Sequence, residues 1–165
     1  MEQKITLSAV MGSYNSGKFI RGSLESIKDW ADEIIIMDMF STDDTVDIAR
    51  EYTDKVFQDE THGNQRLKDG VSKATSDWIL IVATTDRITP PLKEEILAAI
   101  KNDAYIGYCI PRKTYLFGTY IEERPGPLSL IKRGAPIYVG VGHRWISVKG
   151  KVGCLSNLKI HWGFS

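Results

Sequence analysis

Charge of either sign is missing as a feature of this chain, in which 21 Lys and Arg residues are matched by 21 Asp and Glu. That balance excludes the basic footprint of a nucleic-acid binder. Cysteine is scarce, and Cys109 and Cys154 fall in separate apolar segments without CxxC or Cys/His ligand spacing. With nothing marking secretion, buried free thiols are expected rather than a disulfide or a zinc site. No apolar run approaches the roughly 20 residues needed to span a bilayer, and the N-terminus lacks a signal-peptide pattern. A cytoplasmic protein without a transmembrane segment is therefore expected. Internal repeats and low-complexity stretches are absent as well. What is present is an ordinary globular composition, 42% apolar and 25% charged over 165 residues, enough for one domain with a real core.

The first hundred residues alternate strand and helix patterns. "ITLSAVMGSY" (5–14) is β-rich, and "NSGKFIRGSLESIKDW" (15–30) sets Ile20, Leu24 and Ile27 at helical spacing, with Asn15 or Ser16 as its cap. "EIIIMD" (33–38) is a continuous apolar strand ending in Asp38, the pattern of a strand covered on both faces. "STDDTVDIAREY" (41–52) reads as a helix with Ser41 and Thr42 as capping candidates and Asp43 and Asp44 in its first turn. "KVFQ" (55–58) is a short strand, and "NQRLKDGVSKA" (64–74) places Leu67, Val71 and Ala74 on one helical face. A strand over 77–83 and a helix over 89–100, capped by Thr89 with prolines in its first turn, complete the series.

This order predicts an α/β fold, a mainly parallel sheet with helices on both faces, because parallel neighbours need crossover connections. Beyond residue 104 the segments turn β-rich and aromatic with Gly and Pro turns, which predicts a mixed or antiparallel extension of the same sheet. Residues 1–165 thus read as a single domain with halves at 1–104 and 105–165. Ligands of such sheets bind beyond the carboxyl ends of the strands. Those ends carry Ser13, Tyr14 and Asn15, then Asp38, then Ala83 to Arg87.

Several blocks in order, "SYN" at a strand end, "SLESIKDWADEIIIMD", "STDDT" and "DWILIV", resemble the N-terminal half of family-2 glycosyltransferases with the GT-A (Rossmann-like) fold. The lipopolysaccharide core biosynthesis subgroup is especially similar. The likeness is good over about 4–100 and looser through "VGHRWISVKGKVG" to "IHW". It implies a nucleotide-sugar-binding first half and an acceptor-side second half. It also implies that Tyr14, Asn15 and Asp38 hold the donor nucleotide, with Gln65 and Arg66 lying over it. A carboxylate at 38 can accept from a pyrimidine N–H. From the residues alone, Asp38 could equally cap its own turn, Tyr14 could be core and Arg66 a solvated helix residue.

The chain also departs from this family. A D-x-D motif, which would hold Mg or Mn against the donor diphosphate, falls on Ala83, Thr84, Thr85 and Asp86, so both metal-binding aspartates are replaced. Asp86 remains one position late, as a catalytic candidate. Thr85 and Arg87 join the nucleotide-sugar set, Arg87 because a guanidinium neutralises phosphate without metal. The His-Glu of the subgroup is His143 and Arg144 here; the glutamate would take the acceptor proton, which arginine cannot, leaving His143 as candidate base. Glu122 and Glu123, expected in a loop, offer other carboxylates, and His161 matches a terminal family histidine or packs against Trp162. Two functions stay open: inverting transfer from a uridine-type or other nucleotide-sugar to a hydroxyl of a glycan or lipid-linked acceptor, metal-independent or impaired, and a non-catalytic binding or assembly domain. A protein partner or homo-oligomer is compatible with either, and no metal ligand set is expected from the motif as it stands.

Overall fold

A computed structural model describes residues 3–140 and 146–163. The elements run β1 (Leu7–Ser13), α1 (Gly17–Glu25), β2 (Glu33–Asp38), α2 (Thr45–Arg50), β3 (Val56–Gln58), α3 (Gly63–Lys73), β4 (Trp78–Ile81), β5 (Asp86–Arg87) and α4 (Pro90–Ala99). The second half adds β6 (Gly107–Cys109), β7 (Arg112–Leu116), β8 (Thr119–Glu123), β9 (Leu128–Lys132), β10 (Ile137–Tyr138), β11 (Ser147–Val148), β12 (Val152–Cys154) and β13 (Lys159–Trp162).

The main sheet has seven strands in the order β12-β6-β9-β4-β1-β2-β3. Its first-half strands β4, β1, β2 and β3 are parallel neighbours, as the alternating pattern requires. Because side chains alternate along a strand, each central strand feeds two cores. Leu7, Ala9, Met11, Ile34, Ile36, Trp78 and Leu80 face one side, against Ile20 and Leu24 of α1, Ile48 of α2, and Leu92 and Ile96 of α4. Val10, Ile35, Met37 and Ile79 face the other, against Val71 of α3 and Ala74 just beyond it. The near-continuous apolar runs of β1 and β2 are explained by this double coverage.

The β-rich half only partly extends that sheet. Strand β9 pairs antiparallel with β4 and β6, and β12 pairs parallel with β6. The rest departs: β5, β13, β7 and β8 form a separate four-stranded sheet, and β10 with β11 a two-stranded one. The division begins at residues 83–86, where a turn closed by Asp86 N–H on the Ala83 carbonyl at 2.9 Å takes the chain off the main sheet. Strand β5 then pairs antiparallel with β13, setting Asp86 beside His161 and Arg87 beside Ile160. Glu122 and Glu123 stand on the exposed strand β8 rather than in a loop. Cys109 is half-buried but Cys154 is exposed, since β12 is an edge strand; both are free thiols.

Two helix starts differ in cause from the sequence pattern. Helix α2 begins at Thr45 with Asp44 as its N-cap residue, and Ser41 and Asp43 spend their side chains on other bonds. The Asp43 carboxylate accepts from the Gly17 N–H at 3.0 Å and the Thr45 N–H at 3.0 Å, tying the starts of α1 and α2 together. Ser16 is the N-cap residue of α1, yet its hydroxyl donates back to the Tyr14 carbonyl instead of capping. Thr89 does cap α4, accepting from the Leu92 N–H at 3.4 Å.

Candidate functional site

A cleft of about 540 Å³ opens beyond the carboxyl ends of β1 and β4. One wall is the strand end Gly12, Tyr14, Asn15 and Ser16; another is the turn Ala83–Thr85; α3 contributes Arg66 and Leu67. The second half supplies Arg112, Ser129, Lys159 and His161. Among the described lining residues, Arg66, Arg112 and Lys159 are cationic and Asp86 is the one carboxylate. Lys159 is paired with Asp86 and Arg112 with Glu123, so Arg66 is the cation left without an ion pair among the described residues, at the place where the topology puts a ligand site.

Arg66 lies over the end of β1. A side chain at Gly12 would put a Cβ 3.3 Å from its Nε and 3.4 Å from its Nη2, so the missing Cβ gives the guanidinium its room. Nε and Nη1 are buried and have no hydrogen-bond partner among the described residues. Burial lowers the pKa of this guanidinium below its ordinary value, opposed by the negative charges of Asp38 and Asp59. Buried donors of this strength are costly unless they meet an acceptor, so the arrangement suits an anionic group in the cleft. Gln65, the other half of the expected pair, is exposed and spends its amide on Asp69 at 2.8 Å.

Asp38 has a different employment from base recognition. It is fully buried and accepts from the hydroxyls of Ser13 (2.7 Å) and Ser41 (2.6 Å), the Ser41 N–H (2.8 Å) and the Gln58 amide (3.2 Å). Those four bonds use up its oxygens, so it fixes the loop after β2 and does not line the cleft. Asn15, at a left-handed φ of 44°, accepts the Thr42 N–H at 2.8 Å with its side-chain oxygen and so positions the same loop from the cleft wall. Tyr14 is half-exposed at the mouth and not part of the core.

Arg87 is turned away from the cleft. Its guanidinium donates to the carbonyls of Phe19 (3.0 Å), Asp86 (2.9 Å) and Thr84 (3.4 Å), and lies where a Cβ on Gly22 would be, 2.4 Å off. Side chains alternate along the extended segment, and while Asp86 turns to β13, Arg87 points to α1. The sequence-level expectation that Arg87 neutralises phosphate is therefore replaced by a structural role, pinning α1 to the turn.

Asp86 lies under the cleft floor, 1% exposed. Its Oδ1 meets His161 Nδ1 at 2.7 Å, and its Oδ2 accepts from Lys159 Nζ at 2.8 Å and the Ala83 N–H at 3.0 Å. Burial alone would raise its pKa; the charge of Lys159 and the bonds from His161 and Lys159 outweigh it and hold the carboxyl well below the usual carboxylate range. With both oxygens bonded, Asp86 orients His161 and Lys159 and does not present a free carboxylate to the cleft. Thr85 lines the cleft with its hydroxyl 3.3 Å from His161 Nδ1. His143 and Arg144 lie outside the described residues. Glu122 and Glu123 are exposed, in ion pairs with Arg124 and Arg112.

His161 faces the cleft instead of packing on Trp162, and Lys159 was not singled out by sequence at all. Both lie on one face of β13, two residues apart, and only the β5–β13 register brings them to Asp86. A lysine inside the short apolar run "LKIHW" was the available signal, since lysine is rarely buried without a partner.

The divalent cation implied by the family does not fit this residue set. The described residues hold no group of three His, Cys, Asp or Glu side chains able to bind a metal, and the one carboxylate present has an ammonium on it. No described helix is long and apolar enough to cross a membrane.

An open α/β sheet with a ligand cleft at its strand ends defines the class. The family model for glycosyl transferase family 2 matches residues 8–145, and the chain belongs to that family. It is 28% identical over 152 residues to the lipopolysaccharide core biosynthesis glycosyltransferase LpsC of Rhizobium meliloti, covering 84% of this chain and 55% of that protein. The glycosyltransferase SunS of Bacillus subtilis is 37% identical over 123 residues, 70% of this chain and 27% of SunS. An uncharacterized glycosyltransferase of Rickettsia felis is 32% identical over 108 residues, 63% of this chain and 38% of its own length. The chain therefore spans about two fifths of the length of that relative. TarS of S. aureus has the same fold, with a TM-score of 0.61 and 24% identity over 72% of this chain and 39% of the TarS chain; TarS structures include complexes with UDP and UDP-GlcNAc. This establishes the GT-A fold with its β-rich second half.

Proposed function

We propose that the cleft binds a nucleoside-diphosphate sugar and that the domain serves inverting glycosyl transfer to a hydroxyl acceptor, a glycan or a lipid-linked molecule. One observation carries the reading: the buried guanidinium of Arg66, unpartnered among the described residues, over Gly12 at the end of β1. A diphosphate supplies the acceptors that Nε and Nη1 lack, and anions are favoured where several cations line a partly enclosed cleft. Tyr14, Asn15 and Thr85 form the rest of the donor wall. Relatives whose structures contain UDP or UDP-GlcNAc support a uridine-type donor by family likeness.

A second reading is favoured by Asp86, whose committed oxygens leave no free carboxylate among the described cleft residues to act as base. The domain then binds the donor without transferring the sugar, as a binding or assembly unit.

Calorimetric titration with UDP, GDP, CDP and dTDP tests the shared premise. At least one binds the wild-type chain, and Arg66→Met weakens it by about tenfold or more, the worth of a charge-assisted bond to phosphate. Absence of binding by all four overturns the donor site. Release of nucleoside diphosphate from the matching sugar nucleotide, assayed on the same protein, separates transfer from binding alone.

A further inference from the structure

We propose that the ammonium of Lys159 occupies the role of the divalent cation in this domain and binds the diphosphate of the nucleotide directly. This rests on the donor-site reading and adds the identity of the group that meets the phosphates. Lys159 is buried to 5% exposure on β13, yet it lines the cleft. Its Nζ donates to Asp86 at 2.8 Å and to the Ser129 hydroxyl at 3.4 Å. An ammonium has three donors, so one remains for a ligand. A lysine this deep requires a reason, because an ion pair under a floor adds little stability over apolar packing.

The geometry supplies that reason. Asp86 sits in the turn that would carry the metal aspartates, but Ala83 and Thr85 there hold no charge, and both Asp86 oxygens are bonded. A divalent ion would have to displace an ammonium and an imidazole from one carboxylate, while hard cations bind through several oxygens. The pairing of β5 with β13 instead delivers a lysine side chain to the same turn, held in place by the carboxylate. Arg66 reaches the cleft from α3 and Lys159 from β13, so the two cations approach from different elements of the fold. In the proposed arrangement the diphosphate lies between them, one phosphate group on each cation, and no metal bridges the two.

The test is calorimetry in EDTA on the full chain, comparing UDP, GDP, CDP and dTDP with the matching monophosphates. Wild type binds a diphosphate in EDTA, and replacing the EDTA by Mn leaves the affinity unchanged. Lys159→Gln weakens the diphosphate by about tenfold while changing the monophosphate by less than about twofold, as expected for one lost charge-assisted bond; Lys159→Arg retains most of the affinity. Circular dichroism and a thermal melt establish that each variant is folded. A folded Lys159→Gln variant that binds the diphosphate as wild type does overturns the inference and leaves the donor site standing. If that variant does not fold, the wild-type Mn titration decides, since marked tightening by Mn also overturns it. Failure of wild type to bind any of the four diphosphates overturns both readings together.

Discussion

At the scale of single residues, the two aspartates at strand ends do different jobs. Asp38 gathers three side chains and one backbone N–H around itself. Replacing it by alanine strands those donors in a buried site, and Asp38→Ala is expected to cost on the order of 3 kcal/mol in urea unfolding, from unsatisfied polar groups. Asp86 anchors Lys159 and His161. Asp86→Asn leaves Lys159 buried without its counter-charge, and a loss of about 3–5 kcal/mol at neutral pH is expected for a broken buried pair. The acid dependence follows from its depressed pKa. With the folded value below the unfolded one of about 3.9, the carboxylate's contribution is complete above that pH and fades as pH falls towards the folded value. Wild-type stability should therefore drop on acidification below about pH 4, and the gap between wild type and Asp86→Asn should narrow there. Urea midpoints across an acid pH series, with a gap constant down to the lowest pH, would show that Asp86 does not carry this dependence.

At the scale of elements, α3 has to lie close against the sheet for Arg66 to reach the cleft. Gly70, one turn further along the same helix, permits it: a Cβ there would meet Val10 Cγ1 at 2.7 Å and Met37 Cγ at 2.8 Å. Gly70→Ala is expected to push α3 outward, costing about 1–3 kcal/mol by overpacking and weakening nucleotide binding through displacement of Arg66. Chemical denaturation and nucleotide titration of one sample measure both effects. The elements themselves were readable from local pattern: β2 falls on 33–38 and α4 starts at the Thr89 cap as periodicity and capping chemistry indicate. Start points that depend on partners far along the chain were not, as with α2, whose Asp43 is shared with Gly17. The site divides in the same way. Arg66 and the turn at 83–86 were singled out by family likeness, and the structure brings both to the cleft. The outward direction of Arg87 and the arrival of Lys159 depend on the turn at Ala83 and the β5–β13 register, which no local window contains.

At the scale of the whole molecule, a formal charge of zero conceals one uncompensated cation at the cleft: Lys159 is paired with Asp86 and Arg112 with Glu123, whereas Arg66 has no ion pair among the described residues. Nucleotide affinity should consequently fall as salt rises, because attraction between a phosphate and partly exposed cations is screened. A salt-independent affinity, measured by titration at several ionic strengths, would argue that base and sugar contacts dominate instead. The fold joins its halves at this cleft, the parallel half giving Arg66 and the strand-end turns, the β-rich half giving Lys159, His161 and Arg112. The most direct measurement is a crystal structure of the chain with a bound nucleoside diphosphate, grown in EDTA. The diphosphate is predicted to lie in the cleft with phosphate oxygens at about 2.7–2.9 Å, the distance of a charge-assisted bond, from Lys159 Nζ and the Arg66 guanidinium. A nucleotide seated elsewhere, or a diphosphate in the cleft that touches neither cation, would contradict it.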